Sequence, residues 1–263
     1  WVMNRMIGGR ATILMTRLHQ PLSVEESPGI ESQMILSHKY KFIFLKTAKA
    51  AGTSIEIALS KHLGDNDIIT PISPPDEIIR RQLGYRRPQN FCVPLRCCSM
   101  RDIAGTLLTF RRKKFYNHMS SQEVRSLVGD GIWNTYYKFC IERNPFDRVV
   151  SLYYWIHRQE PRPTLAQFLE QPEIELLSSR GLQLYTTQTG AIAVDRVGRY
   201  ENLILDLQEI RRTIAIPEPL ELPHAKASHR SDKRHYSYVI DELSRSKIAA
   251  RFQREMELFG YRF

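Results

Sequence analysis

The sequence predicts an α/β fold with three layers, in which a mainly parallel central sheet is covered by helices on both faces. Two strand–turn–helix units, at residues 41–63 and 137–157, indicate this architecture, because strands that alternate with helices pair in parallel. Of the 263 residues, 42% are hydrophobic and 25% are charged, which is ordinary for a globular protein with a substantial core. We expect one domain over residues 39–263, after an unassigned N-terminal extension over residues 1–38.

The first unit is a short apolar strand that leads into a turn of small residues containing Lys49. Residues 42–45 have the length and composition of a buried strand, and the small residues 50–52 let the backbone approach a ligand closely. The hydroxyl side chains of residues 53–54 are N-cap groups and predict a helix over residues 55–63. Backbone amides and the positive helix end then favour an anion, which Lys49 can also contact. A purely structural turn remains equally open from this segment alone.

The second unit places an arginine at the carboxyl end of a strand. Residues 137–141 have strand character, and Asn144 followed by proline predicts a helix over residues 145–157. Arg143 therefore stands where α/β sheets bind ligands, and Ser151 lies two turns into the helix on a face that can point to the same crevice. A guanidinium and a hydroxyl suit a phosphate. The alternative is that Arg143 pairs with a neighbouring carboxylate and that Ser151 is a surface residue.

A nucleotide-binding, kinase-like phosphotransferase is the first competing interpretation. Its phosphate loop reads G-x-x-x-x-G-K-[ST], whereas Lys49 here precedes Gly52 by three residues and no glycine opens the loop. Asp206 follows an apolar run that could pass for a magnesium-binding strand. However, the apolar residues of segment 203–214 recur at helical spacing, so Asp206 is interpreted as an exposed helix residue.

Together the two units resemble those of carbohydrate sulfotransferases that use 3′-phosphoadenosine 5′-phosphosulfate (PAPS), the heparan and chondroitin sulfotransferase-like family 2. Residues 48–54 (AKAAGTS) are similar to the P-K-T-G-G-T-S-like loop for the 5′-phosphosulfate. Residues 143–153 (RNPFDRVVSLY) are similar to the R-N-P-[FY]-x-R-[LV]-V-S-x-Y stretch for the 3′-phosphate. Residues 195–203 and 257–263 resemble two further family segments, V-G-R-[FY]-E-N-L and a terminal F-G-Y-x-F. The resemblance implies a fold like that of P-loop NTPases.

The resemblance also implies a reaction and a set of site residues. A sulfuryl group would pass from PAPS to a carbohydrate hydroxyl by in-line displacement, with Lys49 stabilising the leaving group and His118 as the base. His118 lies in an H-M-S element before a predicted helix N-terminus, where Ser120 and Glu123 form a capping box. Glu56 is the reserve base, although a surface position suits it better. The residues expected at PAPS are Lys46, Lys49, Ala50, Ala51, Gly52, Thr53, Ser54, Arg143, Ser151, Lys226 and Arg230.

The net charge and the composition limit the kinds of partner that the protein can have. A net charge of +10 indicates an anionic partner, which PAPS and an acidic polysaccharide would supply, with residues 64–113 as acceptor-side loops. A polyanion- or nucleic-acid-binding protein without catalytic activity is the second alternative, although no zinc spacing or recognition motif favours it. The sulfuryl group carries less charge than a phosphoryl group, so no metal is required. The sugar, the sulfated position and the oligomeric state stay open.

The cellular compartment is predicted from cysteine usage. The four cysteines show no C-x-x-C spacing, which favours a reducing compartment and a cytoplasmic location. No apolar run is long enough for a membrane span. The sequence begins at Trp1, and the animal members of the family that it resembles are anchored Golgi enzymes. A Golgi lumen location, with an upstream anchor removed, is therefore the alternative.

Overall fold

A computed structural model describes residues 34–110, 112–116, 118–223 and 234–263, and it shows an α/β chain with one five-stranded sheet. The strands are β1 (Ile35–Ser37), β2 (Phe42–Phe44), β3 (Ile68–Ile69), β4 (Tyr137–Glu142) and β5 (Arg196–Arg199). The helices are α1 (Gly52–Ser60), α2 (Pro74–Gln82), α3 (Met100–Thr109), α4 (Ser121–Val128), α5 (Asp130–Thr135), α6 (Pro145–Ile156), α7 (Leu165–Phe168), α8 (Glu175–Ser179), α9 (Leu203–Thr213), α10 (Glu242–Arg251) and α11 (Gln253–Phe259).

The sheet is mixed, with strand order β3-β1-β2-β4-β5, and the prediction of a mainly parallel sheet is therefore wrong. β2, β4 and β5 are parallel neighbours, whereas β1 is antiparallel to both β2 and β3. The cause is the short connection between β1 and β2, because a tight turn can join only antiparallel strands. Asp67 holds this turn by accepting hydrogen bonds from Ser37 Oγ and from the His38 and Lys39 N–H groups. β1 thus belongs to the sheet, although the sequence left residues 1–38 unassigned.

Alternate residues of β2 pack into two separate apolar clusters. Phe42 and Phe44 join a cluster that includes residues of α1 and α9, whereas Ile43 joins a second cluster that includes Val124 of α4. A strand with both faces buried reads as a continuous apolar run, and this explains the composition of residues 42–45. The central strands are therefore shielded on both sides, and their carboxyl ends provide a rigid base for the loops that follow.

Local signals located the helix of the second unit well and that of the first unit less well. α6 begins at Pro145, and Asn144 caps it by accepting a hydrogen bond from the Phe146 N–H, as predicted. α1 begins at Gly52 instead of residue 55, and its N-cap is Ala51, without a side-chain cap, so the N-cap role predicted for residues 53–54 is wrong. The main chain of Ala51 takes the left-handed conformation and turns into the helix three residues earlier than a hydroxyl cap would.

Two other helical segments differ in detail from the sequence prediction. The apolar residues of segment 239–259 recur at helical spacing, which predicts one helix. The structure has two helices there, α10 and α11, interrupted at Phe252, with Gly260 as the left-handed C-cap. Asp206 is helical as expected but is not exposed. It accepts hydrogen bonds from the Arg199 N–H at 2.5 Å and from Arg196 at 2.7 Å, and it ties α9 to β5.

Residues 64–113 contain regular elements as well as loops, since β3, α2 and α3 lie there. Within the part of the chain that the structure describes, no helix has the length and apolar character needed to cross a membrane. Over the same residues, no group of three or more histidine, cysteine, aspartate or glutamate side chains is arranged to hold a metal ion.

Candidate functional site

The candidate site is centred on the turn between β2 and α1. Lys49 and Ala51 both have positive φ there, at 63° and 58°. This region costs residues with a Cβ about 1–2 kcal/mol each, and residues held in it cluster at ligand-binding sites. Because Ala51 is the N-cap of α1, the turn ends where the first helical N–H groups begin. The turn therefore presents backbone donors at a helix N-terminus, which is an arrangement suited to an anion.

Gly52, the first residue of α1, lies against the side chain of Lys46. A Cβ built on Gly52 would be 2.4 Å from Cγ and 2.7 Å from Cε of Lys46. Lys46 is buried, and its Nζ donates to Thr53 Oγ1 at 2.9 Å and to Glu56 Oε2 at 3.1 Å. The missing side chain at Gly52 is therefore what allows Lys46 to cross the start of the helix.

Lys46 and Glu56 form a buried ion pair, which corrects the surface position favoured for Glu56. Glu56 is 1% exposed and Lys46 is 8% exposed. The helical position of Glu56 suggested an outer face, but every residue of α1 is buried, so the helix has no exposed side to offer it. The carboxylate is thus a partner of Lys46 and lies away from solvent.

Buried charge continues from this pair to α2. Arg80 is fully buried, and its Nη1 donates to Glu77 Oε1 at 2.9 Å. Burial lowers the pKa of Arg80, whereas the negative charges of Glu56, Glu77 and Asp76 oppose that shift. Arg80 could not be recognised from the sequence, because an arginine in a helix with many charged neighbours is usually solvent-exposed.

Replacing Gly52 by Ala is expected to lower the free energy of unfolding by ~1–3 kcal/mol, because the new methyl group overpacks against Lys46. The matched control is Gly105→Ala in α3, where a Cβ meets nothing within 4 Å. There the gain in helix propensity should raise the stability by ~0.5–1 kcal/mol. Urea denaturation of both variants measures the difference. Equal stability of the two variants would show that Lys46 moves aside without cost.

Arg143 connects the second unit to this turn. Its Nη1 donates to the Lys49 carbonyl oxygen at 2.8 Å, and its Nε and Nη2 donate to Asp147 Oδ2 at 2.9 and 2.6 Å. The guanidinium also lies over the Tyr200 ring, 4.0 Å from the ring centroid. The parallel pairing of β2 with β4 brings the two strand ends together. The two predicted anion-binding segments therefore meet at one edge of the sheet.

The side chain of Lys49 extends toward α6. Its Nζ lies 5.1 Å from the centroid of the Trp155 ring, which is a cation–π distance. Trp155 follows Ser151 by four residues, so both lie on the same face of α6. Lys49 and Ser151 therefore border the same region. Trp155 was not predicted at the site, although its spacing from Ser151 carried the signal.

β4 ends in the buried carboxylate of Glu142. Its Oε1 accepts hydrogen bonds from Arg148 Nη1 at 2.6 Å and from the Arg143 N–H at 2.9 Å, and its Oε2 accepts one from Tyr185 at 2.6 Å. Burial, and next the charge of Glu142, raise the pKa of Tyr185, so its hydroxyl remains a donor. Glu142 therefore fixes the backbone from which the Arg143 side chain starts.

The segment after β5 also packs against the second unit. Glu201 Oε1 accepts a hydrogen bond from the Asn144 N–H at 2.7 Å, and Glu201 Oε2 accepts one from Tyr261 at 3.3 Å. Burial, and next the charge of Glu201, raise the pKa of Tyr261, which keeps it protonated. The contacts of Tyr200 and Glu201 therefore join segment 195–203 to the start of α6.

His118, which precedes α4, also contacts the residues that lead into this turn. Its Nδ1 lies 2.8 Å from the Lys46 carbonyl oxygen. Because a carbonyl oxygen only accepts, Nδ1 carries the proton and Nε2 is the basic nitrogen. Ser120 and Glu123 form the capping box of α4 that the sequence predicted, and His118 has a positive φ of 53°. This arrangement fixes the tautomer that a general base needs.

The structure thus gathers most of the predicted site residues around one turn. Lys46 and residues 48–54 form it, Arg143 contacts it through Lys49, and His118 contacts it through Lys46. Ser151 lies on α6, four residues before Trp155, whose ring Lys49 Nζ approaches. Lys226 and Arg230 lie outside the described residues.

The chain is similar to known proteins. Residues 32–262 match a family model whose description is "Sulfotransferase family". The chain is also 31% identical, over 108 residues, to an uncharacterized protein of Archaeoglobus fulgidus, an alignment that covers 40% of this chain and 88% of that protein. No solved structure matches the chain.

Proposed function

Because the chain belongs to the sulfotransferase family, we propose that it transfers a sulfuryl group from PAPS to a hydroxyl of a carbohydrate. The observation that supports this most strongly is the 2.8 Å hydrogen bond between Arg143 Nη1 and the Lys49 carbonyl oxygen. It brings together the two segments that would hold opposite ends of a doubly phosphorylated adenosine. A three-layer fold like that of P-loop NTPases is part of the same proposal.

The donor fits the groups that surround the turn. The backbone donors at the N-terminus of α1, with Lys49, Thr53 and Ser54, suit the 5′-phosphosulfate. The carboxylate pairing that the sequence allowed for Arg143 is present, since Asp147 accepts from its Nε and Nη2. Arg143 and Ser151 still suit the 3′-phosphate, because Nη1 and Nη2 each carry a second N–H and Ser151 adds a hydroxyl. Lys46 stabilises the turn by donating hydrogen bonds to Thr53 and Glu56 of α1. Lys226 and Arg230 are proposed as additional donor contacts on the basis of the sequence alone.

The chemistry requires one bond to form and one to break at sulfur. The acceptor oxygen bonds to sulfur, the bond from sulfur to the bridging oxygen of the 5′-phosphate breaks, and the electron pair leaves with that phosphate. His118 Nε2 takes the acceptor proton, and Lys49 stabilises the negative charge that develops on the leaving phosphate. Alignment and charge stabilisation perform most of the catalysis, as in phosphoryl transfer.

Arg143→Ala is expected to weaken binding of adenosine 3′,5′-bisphosphate, the desulfated donor, roughly 10- to 100-fold, because one or two charge-assisted hydrogen bonds are lost. Titration calorimetry without magnesium measures this, alongside ATP with magnesium, which should bind far more weakly to the wild-type protein. Arg125→Ala is the control, since it removes the same charge from an exposed pair with Asp130. Equal binding of ATP, or an Arg143→Ala variant that binds like the wild type, would favour the kinase-like alternative or a non-catalytic polyanion binder.

The acceptor class is tested separately from the donor. Incubation with labelled PAPS and a panel of neutral and acidic glycans should transfer label to at least one carbohydrate. Transfer only to hydroxyl compounds without sugar would correct the acceptor class while leaving the donor assignment intact.

A further inference from the structure

α3 is an amphipathic helix whose apolar side is mostly exposed to solvent, with Ile103 half-buried at its edge. Its apolar residues follow the spacing of one helix face; they are Met100, Ile103, Ala104, Leu107 and Leu108. Of these, Met100 is 83% exposed, Leu107 is 71% exposed and Leu108 is 82% exposed. All ten residues of α3 are described, and none of them is buried. Large contiguous apolar surfaces of this kind mark interaction sites.

The polar side of α3 is the one held by the residues that flank the helix in the sequence. Asp102 Oδ2 accepts hydrogen bonds from Lys113 Nζ at 3.0 Å and from Ser99 Oγ at 2.8 Å. Ser99 and Asp102 form a capping box that fixes the start of the helix, and Thr106, on the same side as Asp102, is half-buried. The usual orientation of an amphipathic helix is therefore reversed. Among the described residues the apolar side of α3 has no core to join, so this side is available to an apolar partner.

Exposed basic residues lie on α3 and in the segment that follows it. Arg101, Arg112 and Lys114 are exposed, and Phe110, at the C-terminal end of α3, is 91% exposed. A second copy of the same surface would bring these like charges together, which disfavours self-association. An anionic lipid surface satisfies both features, because its headgroups attract the cations and its acyl chains accept the apolar side chains.

We propose that α3, with Phe110, docks the protein on the surface of a membrane containing anionic phospholipid. The helix is about 15 Å long, so it lies in the headgroup region and does not cross the bilayer. Met100, Leu107, Leu108 and Phe110 enter the boundary between headgroups and acyl chains. This docking is independent of sulfuryl transfer and goes beyond the proposed function.

Vesicle co-sedimentation of the full chain tests the proposal. The wild-type protein should sediment with vesicles of phosphatidylcholine and phosphatidylglycerol but not with phosphatidylcholine alone. Leu107→Glu/Leu108→Glu should lower the partition coefficient at least roughly tenfold, because two apolar side chains are lost and two negative charges are added. The matched control is Ile204→Glu/Leu205→Glu on α9, where the adjacent apolar pair is 59% and 64% exposed.

The outcomes separate the lipid surface from other partners. Loss of binding in the α3 variant, with normal binding in the α9 variant and an unchanged Tm in both, supports the proposal. It is overturned by failure of the wild-type protein to bind, by equal binding of the α3 variant, or by binding that does not depend on phosphatidylglycerol. It is also overturned if sedimentation without lipid shows a wild-type dimer that the α3 variant dissociates, since α3 is then an interface between copies.

Discussion

His118→Asn is expected to lower kcat roughly 100- to 10,000-fold, the usual contribution of a general base, while donor binding is unchanged. The Asn side-chain amide can still donate to the Lys46 carbonyl oxygen, as Nδ1 of His118 does at 2.8 Å, but it offers no basic nitrogen. Asn also tolerates the positive φ of 53° at this position better than alanine would. Single-turnover kinetics with PAPS, together with calorimetry of the desulfated donor, measure the two effects.

His235→Asn is the control for the loss of an imidazole. His235 is exposed, and its ring caps a short helical turn at Ser237, a role that asparagine can also perform. The kcat of the His235→Asn variant should match that of the wild-type protein. If His118→Asn instead keeps its kcat and loses donor binding, His118 only supports the turn at Lys46, and the base must be another group.

The position of Arg143 could be predicted because its signals are local. Asn144 and Pro145 define a helix start, the preceding apolar run defines a strand, and the junction of the two is a place where α/β sheets bind ligands. The structure places α6 at Pro145–Ile156 and Arg143 beside Lys49, as that interpretation requires. Parallel pairing of β2 and β4 follows from the same two units.

The burial of Glu56 and Arg80 could not be predicted, because it depends on distant segments. A glutamate between two isoleucines indicates an outer helix face unless other elements cover every side, as they do for α1. Asp206 was placed in solvent for the same reason, although β5 supplies its hydrogen-bond donors. The antiparallel β1 was missed because its three residues are too few for a periodic signal.

The break at Phe252 and the start of α1 illustrate a second limit of prediction from the side-chain pattern. Helical spacing of apolar residues continues through Phe252, so periodicity alone predicts one helix, whereas the structure has two. At Ala51, a left-handed main chain replaces the side-chain cap that residues 53–54 suggested. Both features are main-chain conformations, which side-chain patterns describe poorly, and the second one forms the candidate site.

Arg148→Met is expected to lower the free energy of unfolding by ~3–5 kcal/mol, because it leaves buried carboxylates without their cation. Arg148 and Glu142 are each 0% exposed and are joined by the 2.6 Å hydrogen bond described above. Arg148 Nη2 also lies 3.5 Å from Glu255 Oε1. Methionine keeps an unbranched apolar chain of four atoms in the place of the arginine stem, so the change removes the charged guanidinium with a moderate loss of volume. Urea denaturation measures the loss in free energy of unfolding. The control is Arg251→Met, which loses only a partly exposed pair with Glu175 and is expected to cost ~0–1 kcal/mol.

The pH dependence of this loss distinguishes charge from packing. Burial raises the pKa of Glu255, and the charge of Arg148 opposes that rise. In Arg148→Met the positive charge that lowers the pKa of Glu255 is gone. The folded protein therefore binds a proton at Glu255 at a higher pH than the unfolded chain does. Stability of the variant relative to the wild type should therefore recover as the pH falls through the raised pKa. If the difference in free energy of unfolding between variant and wild type stays constant with pH, Arg148 stabilises the fold by packing against Gly181 and Phe252. The end of β4 would then not depend on the buried ion pair to hold Arg143 at the turn.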